Sequence, residues 1–402
     1  MNSIFEIIFW ICVLLILHTY VIFPITLKLI RKKRVVNPIF YESFDDFPTI
    51  SVLIAVYNEQ EVIEKKIQSI LESDFPKQKL HIIVGSDAST DQTNEILKKL
   101  SENNDQISFF EFENRRGKAQ TINHLFNHSQ GEIMVITDAN VMFSNNTLIN
   151  LCKHFKNNQI GLVDSHIINT GISVHGISVQ ESTYISIETR IKNHESALWG
   201  CMMGPFGGCF AIRKMLFTKI PLNFLMDDFF LNMSVLQKGW KTINALDAIV
   251  YEDVSNLPQE EFRRKVRIST GNFQNLIKFK SLLAGFWFSK KIKHTHPFAM
   301  AYCFVSHKIL RWVTPMFLIL AFCANALLIS NPIYLITSIL LGLTIIISLF
   351  DILLKRFGIH IITLRFVTHY YSMNIALLAG FIKFLKGVKT NVWLPTKRNQ
   401  TH

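Results

Sequence analysis

Three short apolar runs in the first half of the chain each end abruptly in acidic and amide side chains. The runs lie at residues 49–59 (TISVLIAVYNE), 82–91 (IIVGSDASTD) and 135–140 (VITDAN). Apolar runs rich in β-branched residues are typical of parallel strands that are buried on both faces. Ligands of open α/β sheets bind just beyond the carboxyl ends of the strands. The three runs therefore predict a nucleotide and metal site at one edge of a sheet.

The middle of the chain, residues 48 to 255, alternates such runs with stretches of helical pattern. Apolar side chains recur at helical spacing in residues 59–73, 90–100 and 118–126, and a basic helical stretch follows Pro258 and continues to residue 280. Strands that alternate with helices of this length predict a doubly wound α/β domain.

The N-terminal end of the chain is apolar enough to enter a membrane. Residues 4–27 are long enough to cross a bilayer, which takes about 20 helical residues. No basic residue precedes the run and no small-residue cleavage site follows it, so we expect an anchor rather than a signal peptide. The basic residues at 28–34 place the N-terminus outside and the following domain in the cytoplasm, by the positive-inside rule.

The C-terminal third contains further apolar segments. Residues 298–311 include His307, Lys308 and Arg311, so we expect them to lie in the membrane interface. Residues 312–329 and 333–354 predict a transmembrane hairpin. Residues 366–385 favour an interfacial helix, although a spanning helix stays open. The predicted organisation is an anchor (1–30), a cytoplasmic domain (48–280), an interfacial helix (298–311), a hairpin (312–354), an interfacial or membrane helix (366–386) and a cytoplasmic tail (387–402).

Charge and cysteine content narrow the class of partner. The net charge is +12 with histidine neutral, but the basic residues cluster beside the apolar segments, as they do next to anionic membrane surfaces. Nucleic acid is therefore not an expected partner. The six cysteines have no zinc-type spacing and predict free thiols in a reducing compartment or in lipid.

Several of the polar residues allow two interpretations from the sequence alone. Asn58 either lines a nucleotide pocket or caps a following helix. Asp87 ends a predicted strand and can accept hydrogen bonds from a base or a ribose, whereas Asp91 suits a helix cap. Arg115 and Arg116 either face a ligand or, for at least one of them, form a solvated turn.

The same runs, in this order and at these intervals, resemble the inverting family of nucleotide-sugar glycosyltransferases that includes cellulose, chitin and hyaluronan synthases. The resemblance covers residues 48–275 and implies a GT-A-like domain. It implies that Asp138 and Asn140, in the place of the family's D-x-D motif, bind Mg²⁺ or Mn²⁺, with Asn140 the weaker ligand. It assigns the nucleotide-sugar contacts to Tyr57, Asn58, Glu59, Asp87, Gly117, Lys118 and Asp138.

Three later segments extend the resemblance: residues 203–213 (MGPFGGCFAIR), 225–231 (LMDDFFL) and 261–271 (EFRRKVRISTG). The first two imply acceptor contacts for Gly207, Gly208 and Asp227, and a catalytic base in Asp228. A helix-capping Asp pair is the alternative. The third lies at the Q-x-x-R-W motif of processive relatives, where Arg267 keeps the arginine that suits a diphosphate leaving group.

Two departures from that motif bear on the product. Arg264 replaces the glutamine, as in some lipid-directed relatives such as ceramide glucosyltransferases, and Ile268 replaces the tryptophan. The resemblance implies an inverting transferase that moves a sugar, with a UDP-sugar favoured, to a lipid-linked or growing polysaccharide acceptor at the inner face of the cell membrane. A separate export or polymerisation subunit is a further implied partner, besides membrane lipids. The alternatives are glycosylation of a lipid such as ceramide or diacylglycerol, and a catalytically silent scaffold.

Overall fold

The structure is a computed structural model that describes residues 2–31, 40–41, 43–172, 177–253, 257–287 and 292–392. The basic residues at 32–34 and 290–291, and residues 393–402 of the predicted tail, lie outside the described residues. Predictions that rest on them are not tested by it.

The described residues form one sheet with helices on both faces, followed by a helical C-terminal part. The strands are β1 (Ile50–Val56), β2 (Leu80–Asp87), β3 (Ile107–Phe112), β4 (Ile133–Thr137), β5 (Val141–Phe143), β6 (Ile160–Thr170), β7 (Cys209–Arg213) and β8 (Lys241–Asp253). The helices are α1 (Asn2–Leu17), α2 (Phe23–Arg31), α3 (Ile63–Leu71), α4 (Thr93–Glu102), α5 (Lys118–His128), α6 (Thr147–Cys152), α7 (Ser178–Trp199), α8 (Asp227–Gln237), α9 (Pro258–Lys278), α10 (Pro297–Cys303), α11 (Leu310–Trp312), α12 (Thr314–Leu327), α13 (Pro332–Arg356) and α14 (Ile362–Leu385).

The sheet has the order β3-β2-β1-β4-β7-β6-β8-β5. Its first four strands are parallel, with Val56 opposite Ser86 and Ile54 opposite Thr137. The predicted strand ends therefore meet at one edge of the sheet. The second half is mixed because β7, which follows a glycine-rich loop, runs antiparallel between β4 and β6.

Alternate residues of the parallel strands fill two hydrophobic cores. In β1, Leu53 packs into the core on one face, while Val52 and Ile54 pack into the core on the other. This is the two-residue repeat of a strand that is buried on both faces, and it explains why the runs are apolar throughout. Such a sheet is a rigid support for the polar residues that follow each strand.

Two helices among the described residues are long and apolar enough to cross a membrane: Ser3–Arg31, in which the π-helical turn His18–Ile22 joins α1 to α2, and Pro332–Arg356, which is α13. The helices Pro297–Trp312 and Thr314–Leu327 would add a third crossing if this pair, bent by 62°, formed one span. Helix α14 packs against α9 of the α/β domain, where the Ser269 hydroxyl donates to the Leu377 carbonyl at 2.8 Å. That contact agrees with an interfacial α14, which stays a prediction.

A row of buried acids on α7 joins the domain to the C-terminal helices. Glu181, Glu188 and Glu195 are spaced by seven residues, so they share one face of the helix. Their partners come from α9, α14 and the segment between α10 and α12: Lys265 and His369 for Glu181, His307, Lys308 and Arg311 for Glu188, and His307 for Glu195. Because removing one partner of a buried ion pair is costly, these contacts fix the helices against the domain.

Candidate active site

A cavity of about 570 Å³ opens where the parallel strands end. This volume lies in the usual range for small-molecule sites. Every residue that the sequence analysis assigned to the site lines it: Tyr57, Asn58, Glu59, Asp87, Gly117, Lys118, Asp138, Asn140, Gly207, Gly208, Asp227, Asp228, Arg264 and Arg267. The structure thus brings the predicted residues together, while their chemical roles stay predictions.

Asp87 at the end of β2 organises the loop before α5. Its carboxylate accepts hydrogen bonds from the backbone N–H groups of Arg116 (2.7 Å) and Gly117 (2.9 Å), and from Nε of Arg115 (3.1 Å). The Arg115 guanidinium also lies over the Tyr57 ring, at 3.3 Å from its centroid. A solvated turn is therefore wrong for Arg115. The contacts of Asp87 are with this loop, and any contact with a base or a ribose would add to them.

Asn58 connects the first two strand-end loops and does not cap a helix. Its side-chain oxygen accepts a hydrogen bond from the backbone N–H of Thr90 at 2.8 Å, and α3 begins only at Ile63. The capping interpretation of Asn58 is therefore wrong. Asp91 supports the start of α4, where its carboxylate accepts from the backbone N–H of Thr93 at 3.1 Å, as predicted.

Lys118 lies between two carboxylates of the cavity. Its Nζ is 2.6 Å from Oδ1 of Asp138 and 3.6 Å from Oδ2 of Asp227. Burial lowers the pKa of Lys118, but the two carboxylates outweigh burial and raise it above its ordinary value. The lysine therefore stays charged and holds one acid from β4 beside another from α8.

Asp228 has the environment of a proton acceptor. It stands at the start of α8 beside Asp227, and its Oδ1 accepts a hydrogen bond from the backbone N–H of Phe229 at 2.7 Å. Burial, and then the charge of Asp227, raise the pKa of Asp228 to about 7. A Cβ on Gly207, whose φ is +84°, would lie 2.6 Å from Oδ2 of Asp228. Glycine is therefore needed for this carboxylate to keep its place.

Two arginines of α9, Arg264 and Arg267, also line the cavity. Arg264 pairs with Glu261 at 3.2 Å, and the charge of that glutamate raises its pKa. Burial, and then the charge of Arg264, lower the pKa of Arg267, against the attraction of the cavity's aspartates. Guanidinium groups at these positions provide planar donors that suit phosphate oxygens.

The residues present fit a divalent ion that takes some of its ligands from the protein and the others from a phosphate. Asp138 and Asn140 follow β4 and offer the hard oxygen atoms that Mg²⁺ and Mn²⁺ prefer. Nδ2 of Asn140 is buried and has no hydrogen-bond partner among the described residues. The same part of the chain contains no group of three His, Cys, Asp or Glu residues that could hold a metal. An ion here would thus need oxygens from a bound diphosphate, as is usual for Mg²⁺.

Several lining residues were not predicted from the sequence. Phe206 and Phe224 form apolar parts of the wall, and Glu252 follows the apolar run of β8 as the other strand-end acids follow theirs. Asn391 comes from beyond α14 and packs against Gly117, where an added Cβ would lie 2.7 Å from its Oδ1. Glycine at position 117 therefore leaves room for the Asn391 side chain, and no local signal in the sequence identifies this partner.

Comparison with known proteins adds the family to this geometry. Residues 51–220 match the profile of the family described as Glycosyl transferase family 2. The chain contains a glycosyltransferase family 2 domain. The matched residues include β2, β4 and nearly all of β1, with their polar ends. The segments 225–231 and 261–271, to which the predicted resemblance extends, lie beyond the match.

The curated relatives are polysaccharide synthases and glycosyltransferases. Poly-beta-1,6-N-acetyl-D-glucosamine synthase of Staphylococcus epidermidis is 31% identical over 149 residues, which are 37% of this chain and 35% of that protein. Probable glycosyltransferase YdaM of Bacillus subtilis strain 168 is 25% identical over 259 residues, covering 60% of this chain and 59% of that protein. The chain therefore spans between about a third and three fifths of these relatives.

A solved structure shares the fold over nearly the whole chain. The mannosyltransferase PcManGT of Pyrobaculum calidifontis, in complex with GDP-Man and Mn²⁺, superposes with a TM-score of 0.69 and 22% identity. The match covers 94% of this chain and 99% of that one. The predicted GT-A-like α/β fold with apolar helices at both ends is therefore confirmed.

Proposed function

We propose that this protein transfers a sugar from a nucleotide-sugar to an acceptor hydroxyl in a single step, with inversion at the anomeric carbon. The observation that carries this proposal is the position of Asp228, whose pKa is raised to about 7, in one cavity with Lys118, Arg264 and Arg267. A proton acceptor thus lies beside groups that can hold a diphosphate. The family 2 domain supports the same chemistry.

In the proposed step, Asp228 accepts the proton of the acceptor hydroxyl as its oxygen attacks the anomeric carbon. A new carbon–oxygen bond forms on one face of the sugar while the bond to the diphosphate breaks on the other. The nucleoside diphosphate leaves with the bonding electron pair. Arg267 and Arg264 stabilise the charge on its oxygens, since fixed donors are most effective where charge develops.

Asp138 and Asn140 would hold a divalent ion against the diphosphate. Such an ion would neutralise charge on the leaving group. Mn²⁺ occurs in the solved structure of PcManGT, which supports a metal here. Lys118 keeps Asp138 in place and adds a positive charge on the same side of the cavity.

For the donor we propose a UDP-sugar, and for the acceptor a lipid-linked or growing polysaccharide. The relatives named poly-beta-1,6-N-acetyl-D-glucosamine synthase support a polysaccharide product and an N-acetylglucosamine donor. The chain covers little of their length, so this support concerns the domain that they share.

A membrane lipid such as ceramide or diacylglycerol is the second candidate acceptor. The observation in its favour is the apolar wall of the cavity, formed by Phe206, Phe224 and Ile268, beside Arg264. Extraction of the labelled product separates the two: a glycolipid partitions into organic solvent, whereas a polysaccharide stays in water.

A panel of nucleotide-sugars tests the function itself. The full-length protein in detergent or nanodiscs is incubated with Mn²⁺, bacterial membranes as the source of acceptor, and each donor in turn, and release of nucleoside diphosphate is measured. We expect turnover with one UDP-sugar and none in the Asp228→Asn variant. Turnover of no member of the panel would contradict the proposal.

We expect the purified enzyme to add one or a few sugars per encounter. Ile268 lies in the cavity at the place where processive relatives have a tryptophan, and an aliphatic side chain gives a sugar no flat surface to stack on. The two or three candidate spans found among the described residues are also few for a polymer channel, in which polar sugars must be enclosed.

Product length at early times, with excess donor and acceptor, is the measurement. Short products on most acceptor molecules are expected, and any long polymer would then require a separate export or polymerisation subunit. Long chains on a few molecules, with most acceptor unused, would contradict this prediction.

We also propose that the protein is a multi-pass protein of the inner membrane, with its N-terminus outside and the α/β domain and C-terminal tail in the cytoplasm. The distribution of basic residues supports this orientation. Cysteines introduced at positions 2 and 395 should differ in their accessibility to a thiol reagent in intact cells. A membrane-impermeant thiol reagent should label the first and not the second; labelling at position 395 would show that α14 crosses the membrane.

A further inference from the structure

Lys66 is a fully buried lysine next to the turn at residues 138–140, which lines the cavity. It lies on α3 between Ile63, Ile67 and Ile70, which are buried on the same face of the helix. Within the described part of the chain no carboxylate lies within ion-pair distance of its Nζ. Transfer of an ammonium group from water into such a site is costly, so its polar contacts decide how it is tolerated.

Those contacts join the two ends of the turn that presents Asp138 and Asn140. Nζ of Lys66 donates to Oγ1 of Thr137 at 3.0 Å, just before the turn, and to the carbonyl oxygen of Val141, just after it. The same nitrogen lies 3.6 Å from the ring centroid of Phe143. The Lys66 side chain therefore connects the two ends of the turn at residues 138–140.

Further hydrogen bonds connect this turn to the predicted acceptor loop at Gly208. Thr137 uses its hydroxyl hydrogen to donate to the carbonyl of Gly208 at 2.9 Å, and the backbone N–H of Asp138 donates to the same oxygen at 3.0 Å. Lys66 is thus connected through one hydroxyl to Gly208, which adjoins the glycine that faces Asp228. The same hydrogen bonds therefore hold residues on the donor side and on the acceptor side of the cavity.

We propose that Lys66 is a positioning residue that holds the turn at 138–140, and with it the oxygen atoms that would bind the metal ion and, through that ion, the diphosphate. The inference rests on the proposed function. It does not depend on the charge of the lysine. Burial lowers the pKa of Lys66 to about 7, and a neutral amine keeps two N–H donors, enough for both contacts.

The test compares Lys66→Met, which replaces the apolar part of the side chain but removes its donors, with Lys65→Met on the exposed face of the same helix. Binding of UDP to the full-length protein is measured by calorimetry in Mn²⁺ and in EDTA, together with the melting temperature. Loss of a group that orients metal ligands typically weakens metal-dependent function by about 10- to 100-fold. We expect a loss of that size for Lys66→Met in Mn²⁺, little change in EDTA, and wild-type binding for Lys65→Met.

A second variant covers the case in which Lys66→Met does not fold. Thr137→Val removes the hydroxyl that accepts from Lys66 and keeps the shape of the side chain. It should show the same Mn²⁺-dependent loss, and where both variants fold their effects should be less than additive, since they break one network.

The outcomes separate the two proposals. A wild-type protein that binds neither UDP nor another nucleoside diphosphate in Mn²⁺ would overturn the proposed function, and this inference with it. A wild-type protein that binds UDP, with variants that bind equally well in Mn²⁺, would overturn the positioning role alone. The same holds if the variants lose only melting temperature, because a merely structural lysine would not change the difference between Mn²⁺ and EDTA.

Discussion

Replacement of Asp228 by asparagine should abolish sugar transfer and leave donor binding nearly unchanged. The amide keeps the shape of the side chain but cannot accept the acceptor's proton, and loss of a general base typically costs about 10² to 10⁴ in rate. The measurement is the transfer rate under single turnover, with UDP affinity measured on the same samples. Near-normal turnover at unchanged UDP affinity would reject Asp228 as the base.

The same assignment predicts a pH dependence of the wild-type enzyme. Because burial and Asp227 raise the pKa of Asp228 to about 7, the carboxylate is protonated, and inactive as a base, at lower pH. The value of kcat/KM, which reports the free enzyme, should rise as pH increases through about 7 and then level. Asp227→Asn serves as the matched variant. It removes the neighbouring charge and should shift this rise to lower pH, whereas an unshifted profile would show that Asp227 does not control the base.

Replacement of Asp138 by alanine should weaken UDP binding when Mn²⁺ is present and not when EDTA is present. In Mn²⁺ the variant lacks the carboxylate that would hold the ion, so we expect an affinity loss of about tenfold or more, on the order of 1.4 kcal/mol. In EDTA the variant should bind UDP as tightly as the wild type or more tightly. The reason is that Lys118 loses its carboxylate partner at 2.6 Å and can face the diphosphate instead.

Calorimetric titration of UDP into both proteins under both conditions measures this crossover. Asp138→Asn is a useful companion variant, since it keeps one ligand oxygen and should fall between the two. Equal losses in Mn²⁺ and in EDTA would assign Asp138 a direct contact with UDP. Full transfer activity in EDTA would exclude a metal-bridged diphosphate.

The edge of the sheet could be predicted from the sequence because the signal there is local. In β1 every residue except the half-buried Ala55 is buried, so the run is apolar apart from Ser51 until the strand ends at Val56. Asn58 and Glu59 follow one residue later. The mixed half of the sheet was not predicted. Residues 209–213 form β7, but in sequence they are a short apolar run after a glycine-rich loop, with nothing to set the direction of pairing.

Contacts between residues far apart in the chain were beyond the sequence pattern. The contact of Asp87 with a base or a ribose stays a prediction, but its hydrogen bonds to the loop at 115–117 were not predicted. Asn391 reaches Gly117 only because α14 packs along α9 and directs the chain back to the cavity. Neither contact is indicated by a periodicity or by a motif spacing in the sequence.

Two features did have a signal that a closer inspection of helical faces would have found. Lys66 shares the spacing of Ile63, Ile67 and Ile70, so the helix pattern alone places a lysine on the buried face. The acids at 181, 188 and 195 recur at intervals of seven, which indicates a row on one face of α7 that needs partners. What the sequence could not supply was the identity of those partners.

The central claim is direct displacement by an acceptor hydroxyl at this cavity, and the anomeric configuration of the product tests it most directly. The full-length protein in nanodiscs is given the α-configured UDP-sugar that it turns over, and the new linkage is followed by proton NMR from the first turnover. The account predicts a β-linked product from the outset, formed by wild type and not by Asp228→Asn. An α-linked product, which would require retention, would contradict it.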